Sequence, residues 1–235
     1  MPWWYCLMAE AHRTGRPVLR PLLWLDPRDE IAVRCGDQFL VGDSLLVAPI
    51  LRQGARVRSV YLPAGTWYDF WTGVPLSGKR HILAEAPLDR IPLYVRAGAI
   101  LPAGAVRQFT EETAPSTVDL NLWWGGEGTL TWWEGDPRGG NPAEAQHFGR
   151  QCSWTQRDSG HLLAFAASEG ALKSNVRFWR PCIHGASSKP RVVLDGREVP
   201  LRLVKSSGAY QFTVPNSPQT LELEIKTCEE GGGRG

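Results

Sequence analysis

Several features that would point to a common function are missing from this 235-residue sequence. No apolar run approaches the ~20 residues that a membrane-spanning helix needs, so we expect no membrane insertion. The formal net charge is +2, which gives no electrostatic attraction to nucleic acid or to an anionic membrane. The first residues lack a basic segment followed by a long apolar one, so we expect no signal peptide. Apolar residues make up 43% of the chain, enough to bury a core.

Motifs for metals, redox chemistry, nucleotides and activated nucleophiles are also missing. The five cysteines are scattered without a CxxC pair, which favours a reducing compartment such as the cytoplasm and leaves the compartment otherwise open. There is no GxSxG, GxGxxG or Walker sequence. Isolated histidines, each expected on the surface or in packing, are His12, His81, His147, His161 and His184. We therefore expect no metal ligand and no cofactor in this chain.

Tryptophan is abundant, with 11 residues, and many of them stand beside a second aromatic residue. The pairs are Trp3-Trp4, Trp67-Tyr68, Trp123-Trp124 and Trp132-Trp133. Because side chains alternate along a strand, we expect one member of each pair in a core and the other facing water or a neighbouring domain. Stacking on sugar rings is the alternative for the outward-facing members.

The beginning of the chain is predicted to be helical from Pro2 to Thr14, with Gly15 as the stop signal. Trp3, Trp4 and Tyr5 crowd the first turn, and no capping side chain precedes them. Three large aromatic residues at a helix start need a surface to pack on. We expect this helix to be the end of a longer helical element, with the chain beginning inside a domain.

The remainder is predicted to be mainly β, with two antiparallel β-sandwich-like domains. The expected division is residues 1–21 as the helix, 22–102 and 103–228 as the β domains, and 229–235 as a disordered tail. Predicted strands are Val18–Leu25, Gln38–Val41, Leu45–Leu51, Arg56–Leu62, Trp67–Trp71, His81–Ala84, Ile91–Val95, Ala99–Leu101, Val118–Leu122, Leu130–Trp132, Gln151–Gln156, His161–Ala166, Val192–Leu194, Glu198–Leu203, Ala209–Val214 and Thr220–Ile225. Hairpins are expected at residues 125–128, 158–160 and 195–196.

Carboxylates are the remaining source of chemistry, because a glycosidase needs only two of them. Glu134 and Asp136 lie beside two tryptophans in TWWEGDPRGG. The glycines and proline of that segment favour an ordinary turn, and a carbohydrate-contact loop or a catalytic pair are the alternatives. Asp37 and Asp43 are expected to be structural, Asp37 as the cap of a short helical turn and Asp43 within a Gly-Asp turn.

Four ordered motifs closely resemble the C-terminal region of glycoside hydrolase family 31, the family of α-glucosidases and α-xylosidases. They are RPLLWLDP (20–27), GDQFLVGDSLLVAPIL (36–51), VYLPAGTWYDFWTG (60–73) and APLDRIPLYVRAGAILP (86–102). Upstream, AEAHRTGRPVLRP (9–21) is similar to the end of that family's catalytic barrel. Downstream, GTLTWWEGD (128–136) is similar to a later segment, although the family more often has two adjacent aspartates in this loop.

The resemblance implies a (β/α)₈ barrel followed by a proximal and a distal β domain. The family's nucleophile belongs to a WxDxxE-type motif and its acid/base to a GDN-type motif, both in the barrel, and neither occurs here. The resemblance therefore assigns no catalytic residue to this chain, and its substrate-binding residues, sugar and linkage stay unknown. The expected partner is a catalytic barrel, in the same or a separate chain, acting on an oligosaccharide.

The same resemblance suggests a role for residues 36–51, which join the barrel to the β domains in that family. We expect their apolar runs to bury against the barrel and the sandwich. In the chain alone, an exposed apolar patch is then predicted around Trp3, Trp4, Leu7 and residues 45–50. Two other functions stay open: a free-standing carbohydrate-binding module, and a subunit that docks on a separately encoded barrel.

Overall fold

The computed structural model describes residues 2–106, 108, 116–135 and 146–227. The chain divides into two compact units. The proximal unit is Leu7–Ala99, and the distal unit combines Met1–Cys6 with Ile100–Gly235. Within the described ranges no helix is long and apolar enough to cross a membrane. The domain boundaries expected at residues 21, 102 and 228 stay a prediction.

The first helix, α1, spans Pro2–Thr14, as the sequence predicts. Its end is set by Gly15, which has a φ of 74° and donates its N–H to the carbonyl of Ala11 at 2.9 Å. A residue with left-handed φ at this position donates its N–H to a last-turn carbonyl that has no partner within the helix. Glycine adopts this conformation most easily. The division between the two units falls inside this helix.

A second short helix, α2, spans Glu30–Arg34 and was not expected. Its cap is Asp29, whose Oδ1 accepts the backbone N–H groups of Ile31 and Ala32 at 3.1 Å. Asp37 instead precedes strand Phe39–Val41, so the expectation that it would cap a helical turn is wrong. The sequence carries this signal, since an aspartate before a short run such as Glu30–Arg34 is a strong helix cap.

The proximal unit is built on antiparallel strands. They are β1 (Leu19–Arg20), β2 (Phe39–Val41), β3 (Leu45–Val47), β4 (Val57–Leu62), β5 (Thr66–Asp69), β6 (Pro75–Ser77), β7 (Arg80–Glu85) and β8 (Leu93–Arg96). Six form a sheet in the order β1-β2-β3-β8-β5-β6, while β4 pairs with β7 alone. The single strand expected over residues 18–25 is wrong: after β1, residues Leu22–Trp24 form a 3₁₀ turn. Pro21 precedes that turn and cannot donate to a continuing ladder.

The proximal core contains the apolar runs of residues 36–51. Leu40, Leu46 and Ala48 are fully buried, and they pack in one cluster with Val60 and Trp67. The exposed patch expected over residues 45–50 is therefore wrong, because Leu46 and Ala48 in that range are fully buried. Short strands β2 and β3 are central enough in this sheet to bury their apolar residues within the unit itself.

The distal unit is a two-sheet sandwich. Its strands are β9 (Ile100–Ala103), β10 (Thr117–Trp123), β11 (Gly128–Gly135), β12 (His147–Arg157), β13 (Gly160–Phe165), β14 (Phe178–His184), β15 (Pro190–Leu194), β16 (Arg197–Val199), β17 (Arg202–Val204), β18 (Ala209–Gln211), β19 (Val214–Pro215) and β20 (Leu221–Thr227). One sheet has the order β17-β18-β14-β10-β9, with β19 also paired to β14, and the other the order β11-β12-β13-β20-β15-β16. Leu120, Trp154, Phe165, Trp179 and Leu223 are buried in one cluster that draws on both sheets.

Two of the three expected hairpins are confirmed. Strands β12 and β13 pair across residues 158–159, and β15 pairs with β16 across Asp195-Gly196. Both central residues of the second turn have positive φ, 49° and 75°, as a two-residue hairpin turn with matching twist requires.

The third expected hairpin, between β10 and β11, is wrong. Strand β10 pairs with β9 and β14, and β11 pairs with β12 in the opposite sheet. Gly125 and Gly126 both have positive φ in the connection from one sheet to the other. Apolar alternation in both strands is satisfied equally by hydrogen-bonded neighbours and by strands facing each other across a core, so the pattern could not separate the two.

Two predicted features lie wholly outside the described residues: the disordered tail at 229–235, and Asp136 with the glycines that follow it in TWWEGDPRGG. Residues 107 and 109–115, which follow the expected domain boundary at residue 102, lie outside them as well.

Candidate functional site

A charged network surrounds the buried guanidinium of Arg20 in the proximal unit. Its side chain is 1% exposed and donates to the carboxylates of Glu10, at 3.2 Å, and Asp43. Arg16 bridges the same two carboxylates at 3.1 and 3.0 Å. Asp43 is therefore a structural residue, as expected: it ties the turn between β2 and β3 to the preceding segment.

A second network fixes the start of residues 36–51. Arg58 donates to the Asp37 carboxylate at 2.6 Å, to the Asp37 carbonyl at 3.0 Å and to the carbonyl of Pro49. One side chain on β4 thus holds both ends of the segment. Gln38 adds a buried pair of hydrogen bonds with the backbone of Tyr61, accepting at 2.8 Å and donating at 2.9 Å. Asp37 is structural, as expected, although it is not a helix cap.

Glu134 in the distal unit has both carboxylate oxygens engaged. Oε1 accepts from the indole of Trp132 at 2.9 Å and from the hydroxyl of Ser174 at 2.5 Å. Oε2 accepts the backbone N–H of Asn175 at 3.0 Å. This geometry joins β11 to the segment before β14 and leaves the carboxylate poorly placed to attack or protonate a substrate. Its expected partner in the acidic loop, Asp136, lies outside the described residues.

The histidines of the distal core are packing residues. His161 is buried and stacks on Trp154 with ring centroids 4.2 Å apart and an interplanar angle of 7°. Burial lowers the pKa of His161 to about 4, and the nearby backbone of Gly126 raises it by a smaller amount. Neither ring nitrogen of His161 has a hydrogen-bond partner with good geometry among the described residues. His184 stacks on Trp123 at 4.6 Å, and burial lowers its pKa to about 4 too.

Two further histidines contact aromatic rings: the His81 ring centroid lies 5.1 Å from that of Tyr61, and the His147 centroid lies 5.7 Å from that of Trp133. Over the described part of the chain, no group of three His, Cys, Asp or Glu side chains is arranged to hold a metal ion. The four described cysteines, Cys6, Cys35, Cys152 and Cys182, are free thiols.

The paired aromatic residues follow the expected alternation only in part. Trp4 is 42% exposed and Trp3 is half-buried, packing against the distal core. Both Trp67 and Tyr68 are buried, however, and so are both Trp132 and Trp133, with exposures of 5% and 9%. The alternation rule fails for these two pairs because both faces of their strands are covered.

The helix start also differs from expectation, because part of it packs within this chain. A side chain added at Gly135 would meet the hydroxyl of Tyr5, which places that hydroxyl against the backbone of β11. Burial is the main cause that raises the pKa of Tyr5. Leu7 is buried rather than part of an exposed patch. Trp4 and Met8, one turn apart, remain exposed at 42% and 57%.

A cleft of about 400 Å³, which the sequence analysis did not predict, opens in the proximal unit. We call it the Trp71 cleft; its lining includes Asp69, Trp71, Thr72, Glu85, Arg90 and Ile91. The turn after β5, the strand β7 and the segment before β8 contribute its walls. The strand expected over Trp67–Trp71 is wrong at its end: β5 stops at Asp69, and Phe70 and Trp71 lie in the turn that follows. The Thr72-Gly73 sequence after this aromatic pair is the signal that could have indicated the turn.

Comparison with known proteins identifies where this architecture recurs. The model of the glycosyl hydrolase family 31 C-terminal domain matches residues 15–101. Alpha-glucosidase 2 of Bacillus thermoamyloliquefaciens is 32% identical over 201 residues, which are 84% of this chain and 25% of that protein. The alpha-glucosidase of Hordeum vulgare is 31% identical over 232 residues, 97% of this chain and 24% of the relative. This chain therefore spans about a quarter of the length of these curated relatives.

Solved structures give the same answer over nearly the whole chain. A family 31 dextranase from Flavobacterium johnsoniae aligns with a TM-score of 0.85 and 27% identity, covering 96% of this chain and 31% of the dextranase. An alpha-xylosidase of the same family from Xanthomonas citri aligns with a TM-score of 0.77 and 25% identity, covering 94% and 23%.

Proposed function

Because this chain belongs to the C-terminal region of glycoside hydrolase family 31, we propose that it is the C-terminal β region of a retaining α-glycosidase. The complete enzyme would hydrolyse α-glucosidic or α-xylosidic bonds through a covalent glycosyl-enzyme intermediate. The observation that carries the proposal is the family match over residues 15–101, which include the four most specific motifs except the final Pro102.

The catalytic carboxylates of that enzyme would lie outside this chain. A retaining glycosidase needs two carboxyl groups ~5–5.5 Å apart, one free to attack the sugar. The described candidates are committed elsewhere: Asp37 pairs with Arg58, Asp43 with Arg16 and Arg20, and Glu134 with three donors of its own unit. We therefore propose that this chain alone does not hydrolyse glycosides.

The proposed contribution of the chain is to brace the catalytic barrel. The segment 36–51 is held by a buried apolar cluster and by the Arg20 and Arg58 networks, so it forms a rigid base. Helix α1 presents Trp4 and Met8 to solvent at a spacing of four residues, which places them on one helix face. Elements of a barrel would cover this face and remove its apolar surface from water.

The test mixes the purified chain with the first three quarters of the Bacillus thermoamyloliquefaciens relative, produced as a separate polypeptide. We expect the two to co-elute in size-exclusion chromatography. We also expect hydrolysis of p-nitrophenyl α-D-glucopyranoside by the mixture and none by this chain alone. The double variant Trp4→Ser/Met8→Ser should weaken co-elution, while Leu203→Ser, which changes an exposed leucine of the distal unit, should not.

Two results would count against the proposal. Hydrolysis by this chain alone would show that it has its own catalytic groups. Full activity and stability of the barrel polypeptide, with no association between the two, would remove the bracing role.

A further inference from the structure

The Trp71 cleft contains a large aromatic side chain that is rigidly held and yet 45% exposed. The indole N–H of Trp71 donates to the carbonyl of Ile91 at 2.8 Å, and the guanidinium of Arg90 lies 5.7 Å from the ring centroid. Phe70 meets the same indole edge-on, with centroids 5.1 Å apart. The indole is therefore fixed before any ligand arrives, which lowers the entropic cost of binding on it.

The turn that carries Trp71 is fixed just as firmly. Oδ1 of Asp69 accepts the backbone N–H groups of Trp71 and Thr72, at 3.0 and 2.7 Å, and the hydroxyl of Thr72 at 2.9 Å. Gly73 closes the turn by donating to the carbonyl of Asp69 at 2.8 Å, with a φ of 73°. Such a turn keeps the indole in place although it is 45% exposed.

The chemistry of the cleft alternates between apolar and polar groups. Beside the indole, Ile91 and Leu83 are exposed, at 50% and 76%. The carboxylate of Glu85 and the guanidinium of Arg90 line the same space. A pyranose ring has an apolar C–H face that packs on an aromatic ring, and hydroxyl groups at its edge that bond to carboxylates and guanidinium groups. The volume of about 400 Å³ falls within the ~300–1,000 Å³ typical of small-molecule sites.

We propose that the Trp71 cleft is a non-catalytic binding site for a short gluco-oligosaccharide. Its sugar rings stack on the exposed part of Trp71, and their hydroxyls bond to Glu85 and Arg90 at the rim. The choice of an α-linked glucan as ligand rests on the function proposed above, while the stacking geometry rests on the cleft alone. Such a site would hold a polymeric substrate beside an enzyme whose chemistry takes place elsewhere.

The test titrates the complete 235-residue chain with maltotriose and with isomaltotriose, by isothermal calorimetry and by indole fluorescence. We expect saturable binding of at least one trisaccharide with a Kd of about 1 mM or tighter. Trp71→Ala should weaken that binding by about tenfold or more, because the stacking surface is lost. Phe178→Ala is the matched control: it removes an aromatic side chain of nearly equal exposure, 44%, on β14 of the distal unit, and should leave the Kd unchanged.

A second measurement keeps the test decisive if Trp71→Ala unfolds. In an ¹H–¹⁵N spectrum of the unaltered chain, the indole N–H resonance missing from Trp71→Phe identifies Trp71, and it should shift during the titration. No saturable binding of either trisaccharide, or binding with no shift of this resonance, would overturn the inference. If the chain associates with the barrel polypeptide but binds no trisaccharide, the sugar site is wrong and the proposed function stands. If it binds a trisaccharide but does not associate with the barrel polypeptide, the bracing role is wrong and the sugar site stands.

Discussion

At the scale of the residue, Arg20 shows how an almost completely buried charge is tolerated. Its side chain is 1% exposed, and the carboxylates of Glu10 and Asp43 that neutralise it are 31% and 39% exposed. Burying a lone guanidinium would be very costly, so the two carboxylates are a requirement of this packing rather than an addition to it. The surrounding Trp24 ring, 5.6 Å from the guanidinium carbon, completes its environment.

Arg20→Ala should lower the free energy of unfolding of the chain by about 3 kcal/mol, because it removes the centre of a buried ion-pair network. Urea unfolding followed by circular dichroism measures the change. Arg28→Ala is the control, since Arg28 pairs with Asp26 while its side chain is 90% exposed, and its midpoint should stay at the wild-type value. Equal effects of the two substitutions would contradict a special role for the Arg20 network.

Two histidines of the distal unit, the buried His161 and the half-buried His184, predict how the stability of the chain depends on pH. Burial lowers the pKa of His161 and of His184 to about 4, from an ordinary value of 6.5. Between those values the unfolded chain binds more protons than the folded one, so stability is complete above about pH 6.5 and falls as the pH drops towards 4. Each histidine contributes a slope of up to about 1.4 kcal/mol per pH unit.

Urea unfolding at pH 7 and pH 5 should therefore show a loss of stability that is reduced in His161→Phe/His184→Phe, where flat apolar rings keep the stacking. His12→Phe, a change at an exposed histidine of α1, should retain the full loss. If the double variant loses as much stability as the unaltered chain, the pH dependence has its origin in other groups.

At the scale of the element, the sequence predicts local features well and pairings across the core poorly. Helix α1 and the Asp195-Gly196 turn depend on short-range rules of helix ends and turn geometry, and both are confirmed. The pairing of β10 depends on which distant strand lies beside it. Its parallel neighbour is β14, whose sequence FWRPCIH has Pro181 in the middle. Proline cannot donate a hydrogen bond to a ladder, so this sequence does not predict a central strand.

For the candidate sites, too, the sequence predicts local features but not the contacts between distant residues. The structural role of Asp43 follows from turn composition, whereas the turn expected at Glu134 is wrong, because Glu134 lies on β11. The partners of these two carboxylates, Arg20 and Ser174, are 23 and 40 residues away in the chain. Nothing in a single sequence links such positions. The Trp71 cleft was missed for the same reason, since its walls come from three separate segments.

Asn216 connects several elements of the distal sandwich through one side chain. Its Oδ1 accepts from Arg150 on β12 at 2.6 Å and from the indole of Trp179 on β14 at 3.0 Å. Its amide donates to the carbonyl of Val176 at 2.9 Å and lies 3.3 Å from the hydroxyl of Ser174. The donors of both sheets therefore meet at one acceptor.

Asn216→Ala should destabilise the distal unit by about 2–3 kcal/mol, because it removes the acceptor of two buried donors. The matched control is Asn175→Ala: only its backbone N–H is used in a hydrogen bond within the described residues, so the change should have little effect. Thermal unfolding followed by near-ultraviolet circular dichroism, which reports on the buried tryptophans, distinguishes the two variants. Similar losses from both would contradict the role assigned to Asn216.

At the scale of the whole molecule, helix α1 exposes two large apolar side chains one turn apart, Trp4 and Met8. Exposed apolar surface promotes association. We expect the chain alone to self-associate as its concentration rises, and Trp4→Ser/Met8→Ser to reduce this. Sedimentation or size-exclusion chromatography at increasing concentration measures it. Sharp monomeric behaviour of the unaltered chain at high concentration would be the contrary outcome.

The central proposal is that this chain is the C-terminal β region of an α-glycosidase, with the catalytic carboxylates in a barrel encoded upstream of it. Determining the coding sequence upstream of Met1 tests it most directly. The account predicts an in-frame extension that encodes a WxDxxE-type motif and then a GDN-type motif. An in-frame stop codon immediately before a start signal at Met1 would contradict it.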